Sequence, residues 1–498
     1  MKTKKFAVLL FTLILALGLF PMGVFAASIP VTPTSKASIT INNAVKDDVL
    51  KAYKVVDITY NEASNHVSYA WNSAFADYFA GTTSYNDTAY TVEGFATLTD
   101  DSAELKNVLA GLPKYIADNN IDAAKTATVG EGGTATFANL AMGEYFIRPS
   151  STTSVYQLML QKIEPKVEED SEGNPHYVIE DVTFTAKKEE VTITKTADKT
   201  SVTKNEKVAY TVAVDIPTYS AEATDKTIYV SDLLPDGLTI DTASINVKID
   251  GADVNPTAYN LDTTATKDYT FKLSVSTQQY TNSWTNQGGN KLVITYTATL
   301  NNDNTTEVNV IETNTATFDY SFYPYVENSH KQKTDKVDVT TFAIKIDKYV
   351  AGSHATKLAD AKFDLYRTAT DAEIAAGVTE TIPHTTINGI KLESDVVTND
   401  SGVATFEKYE ANGTKYDYYL VETQAPHGYN ILAEAVKVNF TDAEATNGVY
   451  TVKVPNSSGI TLPITGDEGI VIFTVIGIAF MGGAVILFVL FHKKAKAN

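Results

Sequence analysis

The side chains that could do chemistry in this chain are lysine amines, carboxylates and asparagine amides, because the usual catalytic groups are missing. The 498 residues include no cysteine and only seven histidines, which are scattered. Neither G-x-S-x-G nor H-E-x-x-H occurs, so neither an activated serine nor a zinc-binding helix is indicated. The acidic stretch at residues 301–307 fails the D-x-[DN]-x-[DN]-G spacing of a calcium loop and is interpreted as a solvated turn. We therefore expect no enzyme, no cofactor and no bound metal.

The C-terminal end combines three features in a fixed order. The pentapeptide LPITG lies at residues 462–466, a charge-free apolar run at 469–491, and a basic tail at 492–496. About 20 apolar residues suffice to cross a bilayer as a helix, and the basic tail predicts that the end stays inside the cell. This order resembles the LPxTG cell-wall sorting signal of Gram-positive surface proteins.

That resemblance assigns a role to each residue of the pentapeptide. A sortase thiolate is expected to attack the carbonyl of Thr465 and to release Gly466 onward, so that the membrane helix is only a transient anchor. Pro463, after Leu462, removes a backbone donor and bends the segment. We expect the pentapeptide to remain an extended and accessible substrate.

The most specific interior motif is YYLVETQAPHGY at residues 418–429. It resembles the E-box of the Cna-B-type domains of Gram-positive pilins, in which a glutamate promotes a spontaneous amide bond between a lysine on the first strand and an asparagine on the last. Carried over by position, the resemblance implies Glu422, Lys345 in AIKIDK, and Asn456 in TVKVPN. Lys348 is the competing lysine, and its offset of three from Lys345 is expected to direct it to the other face of the strand.

Burial makes this reaction physically reasonable. Desolvation penalises the ammonium form of a buried lysine, and its neutral amine becomes a nucleophile. Glu422 is expected to polarise the side-chain carbonyl of Asn456 and to transfer protons while ammonia leaves. A cross-link that closes a loop of about 100 residues would stabilise the domain by on the order of 5 kcal/mol, and tension would pass through the new bond.

A looser version of the same design occurs in the middle of the chain. VSDLLPDGL at residues 230–238 and NTATFDY at 314–320 resemble the Cna-A-type pattern, in which an acid assists a lysine-to-asparagine bond. The resemblance implies Lys195 in TITKTAD, Asp232 and Asn314. The lysine-to-asparagine separation is 119 residues here (314 minus 195) and 111 for the E-box set (456 minus 345), so both bonds are expected to tie the first strand of a domain to the last.

The first part of the chain is expected to lack such a bond. Aligning EYFIRP at residues 144–149 with YYLVET at 418–423 places Pro149 or its neighbours where the glutamate should be. No acid is then available to assist the reaction.

A further lysine, Lys166, is a candidate acceptor for the sortase. In LMLQKIEPKVEED, residues 158–170, the apolar positions predict a strand that Pro165 ends just before Lys166. The segment resembles the pilin motif, although Glu164 and Val167 replace the usual aromatic residue and asparagine. The resemblance implies that Thr465 of one subunit is joined to Lys166 of the next.

Lys162 is the alternative acceptor in the same segment. One donor and one acceptor at opposite ends of a subunit make a contact that does not close, and such a contact generates an open fibre.

The elements that must position these residues are mostly strands. Short runs rich in Val, Ile, Thr, Tyr and Phe, such as KVAYTVAVDI and NKLVITYTATL, predict tandem immunoglobulin-like β-sandwiches. DDSAELKNVLAGL and PKYIADN predict a few short helices near the N-terminus, with Asp100 or Asp101 as the N-cap. Ala-Thr-Phe at residues 135–137 and again at 404–406 predicts one shared topology for the first and last domains.

Length and composition divide the chain into about three domains. Residues 1–26 resemble a secretory signal peptide, with lysines, an apolar stretch and small residues up to Ala26. Changes in composition near residues 187 and 341 give an N-terminal domain at 27–186, a middle domain at 187–340 and a C-terminal domain at 341–461. The sorting signal follows at 462–498.

Together these features resemble a Gram-positive, sortase-assembled major, or backbone, pilin. The net charge of −20 argues against a nucleic-acid partner. The resemblance implies secretion, anchoring to peptidoglycan in a surface pilus and a role in adhesion. Its partners would be identical subunits in a covalent homopolymer, pilus-specific and housekeeping sortases, accessory pilins and host extracellular matrix. The alternative is a monomeric wall-anchored adhesin for a host matrix protein, which would not need Lys166.

Overall fold

The computed structural model describes residues 29–99, 102–152, 154–203, 205–284, 291–301, 311–409, 416–440, 445–446 and 448–458. The predicted signal peptide, the LPITG segment, the apolar run at 469–491 and the acids Asp100 and Asp101 lie outside these residues. No helix in the described ranges is long and apolar enough to cross a membrane.

The chain is mainly β and buries its apolar side chains in successive cores. The first core runs from Val31 to Ala186. The second is built chiefly from Val191 to Val339, and the third from Ile344 to Val454. The predicted class of tandem β-sandwiches is confirmed. We call the three units the N-terminal, middle and C-terminal domains.

The N-terminal domain combines a sheet in the order β4-β3-β7-β9, in which β5 also pairs with β3, with a second sheet in the order β12-β2-β6. A separate hairpin sheet in the order β1-β11-β10 extends from it. The strands are β1 (Ile29–Pro30), β2 (Lys36–Asn42), β3 (Val49–Asn61), β4 (His66–Trp71), β5 (Lys125–Thr128), β6 (Ala135–Ala141), β7 (Gly143–Ser151), β8 (Ser154–Tyr156), β9 (Met159–Ile163), β10 (Lys166–Glu169), β11 (Pro175–Ile179) and β12 (Val182–Thr185).

The helices of this domain are α1 (Ala76–Phe79), α2 (Val92–Ala96) and α3 (Ala103–Asp118). The two predicted helical stretches are one helix, α3, which continues through Pro113. Its N-cap is Ser102, whose hydroxyl accepts a hydrogen bond from the backbone N–H of Leu105 at 3.1 Å. Helical spacing places one apolar stripe against the core: Leu105, Val108, Leu109, Leu112 and Ile116.

The middle domain is a sandwich of two five-stranded sheets, in the orders β14-β15-β21-β17-β18 and β19-β20-β16-β22-β23. Between β12 and this sandwich, β13 pairs with β8 of the N-terminal domain. The elements are β13 (Lys188–Glu190), β14 (Ile193–Ala197), β15 (Lys207–Asp215), β16 (Ile228–Leu233), β17 (Leu238–Ile249), β18 (Ala252–Asp253), β19 (Asn260–Asp262), β20 (Phe271–Val275), α4 (Thr277–Gln279), β21 (Lys291–Leu300), β22 (Ile311–Ser321) and β23 (His330–Thr340), with a 3-10 turn at Pro256–Ala258 and a π-turn at Tyr280–Trp284.

The C-terminal domain packs a sheet in the order β25-β24-β33-β32, with β29 also on β24, against a sheet in the order β27-β28-β26-β30-β31. The elements are β24 (Phe342–Val350), β25 (Ser353–Lys357), β26 (Lys362–Thr368), α5 (Asp371–Ala375), β27 (Glu380–Thr381), β28 (Asn388–Val397), β29 (Val403–Tyr409), β30 (Tyr418–Gln424), β31 (Val436–Lys437), β32 (Ala445–Thr446) and β33 (Val449–Asn456).

The first and last domains share a topology, as the repeated Ala-Thr-Phe predicts. In the N-terminal domain, β6 carries that tripeptide and pairs antiparallel with β2, which also pairs parallel with β12. In the C-terminal domain, β29 carries it and pairs antiparallel with β24, which pairs parallel with β33. The last strand of each domain is therefore the direct neighbour of an early strand, β12 of β2 and β33 of β24.

Candidate cross-linking sites

The C-terminal site is formed by three strands that each direct one polar side chain into the core. Ile344, Ile346 and Lys348 alternate along β24 and are all fully buried. Glu422 lies on β30 of the opposite sheet, and Asn456 ends β33, the parallel neighbour of β24.

Lys345 does not join this cluster, and its assignment is corrected to Lys348. Strand alternation directs Lys345 away from the core face that Ile344 and Ile346 share. As expected, the two lysines lie on opposite faces of the strand, but Lys348 rather than Lys345 faces the core.

The three buried side chains contact one another directly. Nζ of Lys348 donates to Oδ1 of Asn456 and lies 3.1 Å from Oε1 of Glu422. Nδ2 of Asn456 donates to both carboxylate oxygens of Glu422, at 3.0 and 3.1 Å. Nδ2 also donates to the carbonyl of Asn430 at 2.9 Å, and the backbone N–H of Leu432 donates to Oε2 of Glu422 at 2.8 Å. The carboxylate thus bridges the amine and the amide nitrogen.

The environment favours the neutral amine of Lys348. Both the lysine and Glu422 have fully buried side chains. Burial lowers the pKa of Lys348, while the charge of Glu422 and its hydrogen bond act in the opposite direction. An amine of lowered pKa held against a side-chain carbonyl is positioned for attack on that carbonyl carbon.

The middle domain brings together the three residues predicted for it. Lys195 lies on β14, Asp232 on β16 of the opposite sheet and Asn314 on β22, and all three are buried. Asn314 lies on the strand before the last, β22, so the expectation that both bonds tie first to last strand is wrong here. A bond between Lys195 and Asn314 would instead join the two sheets across the core.

Tyr296 on β21 connects these three residues, and no sequence motif indicates this role. Nζ of Lys195 donates to the Tyr296 hydroxyl at 2.8 Å and also to the carboxylate of Asp232. The hydroxyl donates to Oδ1 of Asp232 at 2.9 Å and accepts from Nδ2 of Asn314 at 2.7 Å. Tyrosine is common in strands for its packing, and only the three-dimensional structure distinguishes this one.

Burial also shifts the charged groups of the middle site toward neutrality. It lowers the pKa of Lys195 and raises the pKa of Asp232, and the attraction between the two groups opposes both changes. Burial and the charge of Asp232 raise the pKa of Tyr296, which remains a hydrogen-bond donor. Oδ1 of Asn314 is buried without a hydrogen-bond partner among the described residues. A buried amide oxygen left unpaired is uncommon and is costly.

The N-terminal domain has different residues at the corresponding positions. Ile39 pairs with Phe137 as Ile344 pairs with Phe406, so Asn43 corresponds to Lys348. Following the parallel pairs along β12 and β33, Lys188 corresponds to Asn456. The predicted alignment puts Arg148 at the place of Glu422.

Arg148 is used for packing between domains. Its guanidinium lies 5.9 Å from the ring centre of Tyr53 and 5.4 Å from that of Tyr323 in the middle domain. Two acids described in this domain are buried, Asp48 and Glu144. Asp48 accepts hydrogen bonds from Tyr156 at 2.5 Å and Thr152 at 2.7 Å. None of the lysines described in this domain is buried.

The two candidate acceptor lysines differ in accessibility. Lys166 is the first residue of β10, has a side chain 61% exposed and lies 2.8 Å from a carboxylate oxygen of Glu180. Lys162 lies within β9, has a side chain 30% exposed and is 3.3 Å from Glu164. As predicted, the strand before Pro165 ends at Ile163, and β10 begins after the proline.

Family models match the C-terminal part of the chain. The prealbumin-like fold domain SpaA matches residues 342–455, and the LPXTG cell wall anchor motif matches residues 454–496. A fimbrial subunit type 1 of Actinomyces viscosus is 31% identical over 154 residues, covering 27% of this chain and 28% of the relative. The match therefore spans little more than a quarter of that relative.

Solved structures show the same fold over most of the chain. The T6 backbone pilin of Streptococcus pyogenes serotype M6, described as modular and three-domain, has a TM-score of 0.56 and 18% identity, with 88% of this chain and 92% of that chain covered. The full-length major pilin SpaD of Corynebacterium diphtheriae has a TM-score of 0.52 and 17% identity, with 86% and 99% covered. The major pilin SpaA of Corynebacterium diphtheriae has a TM-score of 0.50 and 19% identity, with 85% and 100% covered.

Proposed function

We propose that this cell-wall-anchored protein, which has the fold of Gram-positive backbone pilins, is the major subunit of a surface pilus. Subunits are joined head to tail by a sortase, from Thr465 of one to Lys166 of the next. The middle and C-terminal domains are each closed by an amide bond, Lys195 to Asn314 and Lys348 to Asn456.

The observation that carries the proposal is the contact between three fully buried groups in the C-terminal domain. A buried lysine is costly unless it is paired, and Lys348 touches the carbonyl of Asn456 and the carboxylate of Glu422. Such an arrangement destabilises a non-covalent domain relative to a well-packed apolar one. The presence of this costly buried cluster in a pilus subunit is explained if the lysine amine reacts to become part of an amide bond.

The cross-linking reaction balances without any external reagent. The neutral Nζ amine attacks Cγ of the asparagine, so that a C–N bond forms and the bond from Cγ to Nδ2 breaks. Glu422, or Asp232 in the middle domain, accepts the proton lost by Nζ and supplies one to Nδ2, which leaves as ammonia. In the C-terminal domain the carboxylate already contacts both nitrogens.

The polymerising reaction requires a sortase cysteine as co-reactant. The thioester formed on the Thr465 carbonyl is attacked by Nζ of Lys166; the C–N bond forms, the C–S bond breaks, and the departing thiolate takes up the proton that the amine loses. The exposure of Lys166 at the start of a hairpin strand supports its role as acceptor.

The test is the size distribution of the protein in wall extracts boiled in detergent. Wild-type cells should give a ladder of high-mass species, Lys166→Ala cells a single band, and Lys162→Ala cells the wild-type ladder. Tandem mass spectrometry of the ladder should identify the Lys166-to-Thr465 peptide. A single band from wild-type cells would instead support a monomeric wall-anchored adhesin.

A further inference from the structure

We propose that the sorting segment of one subunit binds the next subunit as an added β-strand, antiparallel to β10, with Ile464 over Val167. This inference rests on the proposed linkage of Thr465 to Lys166. It adds a non-covalent docking surface to that bond and names the residues that form it.

The surface is the open edge of the hairpin sheet. In the order β1-β11-β10, β10 is the outer strand, and among the described residues only β11 is hydrogen-bonded to it. Every second backbone N–H and C=O of residues 166–169 therefore points outward without a strand partner. An open strand edge is a template for pairing with another extended segment.

A solvent-exposed apolar side chain lies on this edge. Val167 is 61% exposed, among the most exposed large apolar residues in the described chain. Its neighbours along the strand, Lys166, Glu168 and Glu169, are charged. A single exposed valine between charged residues is ordinary on a free surface, but here it lies beside the proposed attachment point.

The occupant is a segment of the chain beyond the described residues. β33 ends at Asn456, and the described chain ends at residue 458. Beyond it, Ile460, Leu462 and Ile464 alternate with residues 461, 463 and 465, a period of two that favours a strand. The segment carries no charge, so it meets no repulsion from the acidic β10.

The attachment point fixes the direction and the register. The carbonyl of Thr465 must reach Nζ of Lys166, the first residue of β10. The preceding residues can lie along β10 only if they run from Glu169 back toward Lys166, which is antiparallel. Thr465 then faces Lys166 and Ile464 faces Val167.

Residues directly opposite each other in an antiparallel pair share a face, so Ile464 covers the exposed valine. Pro463, which lacks a backbone N–H, falls opposite Glu168 on a strand that is itself an outer strand, where proline is tolerated. The six residues that follow Asn456, 457–462, span about 20 Å when extended, enough to separate the docked strand from its own domain.

The chain contains no cysteine, so any disulfide formed by an engineered cysteine pair reports on this contact alone. Full-length Val167→Cys/Ile464→Cys subunits, polymerised in cells and mildly oxidised, should form a disulfide between adjacent subunits in most linkages. The matched control is Ser171→Cys/Ile464→Cys, since Ser171 is exposed at the turn of the same hairpin. The control should remain reduced, with at least a fivefold lower disulfide yield.

Hydrogen exchange on wild-type polymer gives a second measurement that needs no substitution. Backbone amides within residues 167–169 that face outward should exchange at least tenfold more slowly in the polymer than in the monomer. If the Lys166-to-Thr465 bond is present but the disulfide and the protection are both missing, the docked strand is refuted and the proposed function stands. If that bond itself is missing, the proposed function fails and this inference fails with it.

Discussion

At the scale of single residues, burial distinguishes two similar lysines, of which only one contacts the groups proposed to react. Lys345 and Lys348 lie three positions apart on β24, but only Lys348 is fully buried and in contact with a carboxylate and an amide. Removing water from an amine disfavours its charged form. The same chemical group is therefore held against an amide carbonyl and a carboxylate in the core at position 348, and lies outside that cluster at position 345.

The intact mass of the recombinant mature chain tests this distinction. We expect the wild-type mass to be lower than the translated sequence by two molecules of ammonia. Lys348→Met or Glu422→Ala should restore one of them, because the C-terminal bond cannot form, and should lower the free energy of unfolding of that domain by on the order of 5 kcal/mol. The matched control Lys345→Met should leave the mass deficit unchanged; restoration of one ammonia by that control would contradict the correction.

Tyr296 is expected to set the rate of the bond in the middle domain. Its hydroxyl is hydrogen-bonded to Lys195, Asp232 and Asn314, so Tyr296→Phe leaves all three groups short of a partner. We predict at least a tenfold slower loss of ammonia, followed by mass spectrometry at intervals after synthesis. Tyr210→Phe is the control, since this ring stacks on Tyr296 but its hydroxyl has no hydrogen-bond partner among the described residues. Equal rates in the two variants would show that the hydroxyl is dispensable.

At the scale of strands and helices, much of the fold could be predicted from the sequence, because strand composition and the Ala-Thr-Phe repeat are local signals. The alternation of Ile344 and Ile346 also identified the inward face of β24 and could have selected Lys348. Other features depend on long-range pairing. The location of Asn314 on the penultimate strand follows from β23 being added at the sheet edge, and no local pattern predicts that.

His330 lies at the start of β23 between two carboxylates, and its charge is expected to make the stability of the middle domain depend on pH. Its Nδ1 lies 2.5 Å from Asp319 on β22, and its Nε2 lies 3.2 Å from Asp225. Burial alone would lower the pKa of His330, but the hydrogen bonds and charges of Asp225 and Asp319 outweigh it and raise the pKa to about 9. Because the folded-state pKa is above the unfolded value of about 6.5, the stabilisation is fully present below pH 6.5 and is lost as the pH rises through 9.

We predict that raising the pH from 6 to 10 lowers the free energy of unfolding by on the order of 2–3 kcal/mol through this residue. Denaturant titrations of the Lys195→Met chain, in which the middle bond cannot form, would measure the change. His330→Asn should abolish that part of the pH dependence. His354→Asn, at a histidine whose side chain is 54% exposed, should leave it intact. An unchanged pH dependence in His330→Asn would refute the assignment.

At the scale of the whole molecule, the two proposed bonds differ in what they join. The C-terminal bond connects neighbouring parallel strands of one sheet, whereas the middle bond spans the core between two sheets. Both enclose more than 100 residues between the lysine and the asparagine. We expect a pull applied to the ends of either domain to pass through the proposed amide and to leave the enclosed strands folded.

Single-molecule stretching measures whether the strands enclosed by each amide bond extend under force. The wild-type chain, held at Lys166 and at residue 465, should show no unfolding step from the residues enclosed by the two bonds, 195–314 and 348–456. Lys195→Met should add one step in which the segment from 195 to 314, a separation of 119 positions, extends by about 400 Å. Lys199→Met, at a neighbouring lysine paired with Glu206 near the surface, is the control and should add none. A step of that length in the wild-type chain would show that the middle bond is missing.

The position of Lys166, near the C-terminal end of the first domain in sequence, has a mechanical consequence. If subunits are joined as proposed, force enters each stretched subunit through the Lys166 side chain and leaves through Thr465, so the residues that precede 166 lie outside the covalent path of the force. The first domain has Asn43, Arg148 and Lys188 at the positions of the three reactive residues of the last domain. An internal amide bond is then expected to matter for the middle and C-terminal domains, which lie between the two attachment points, and not for the residues that precede 166.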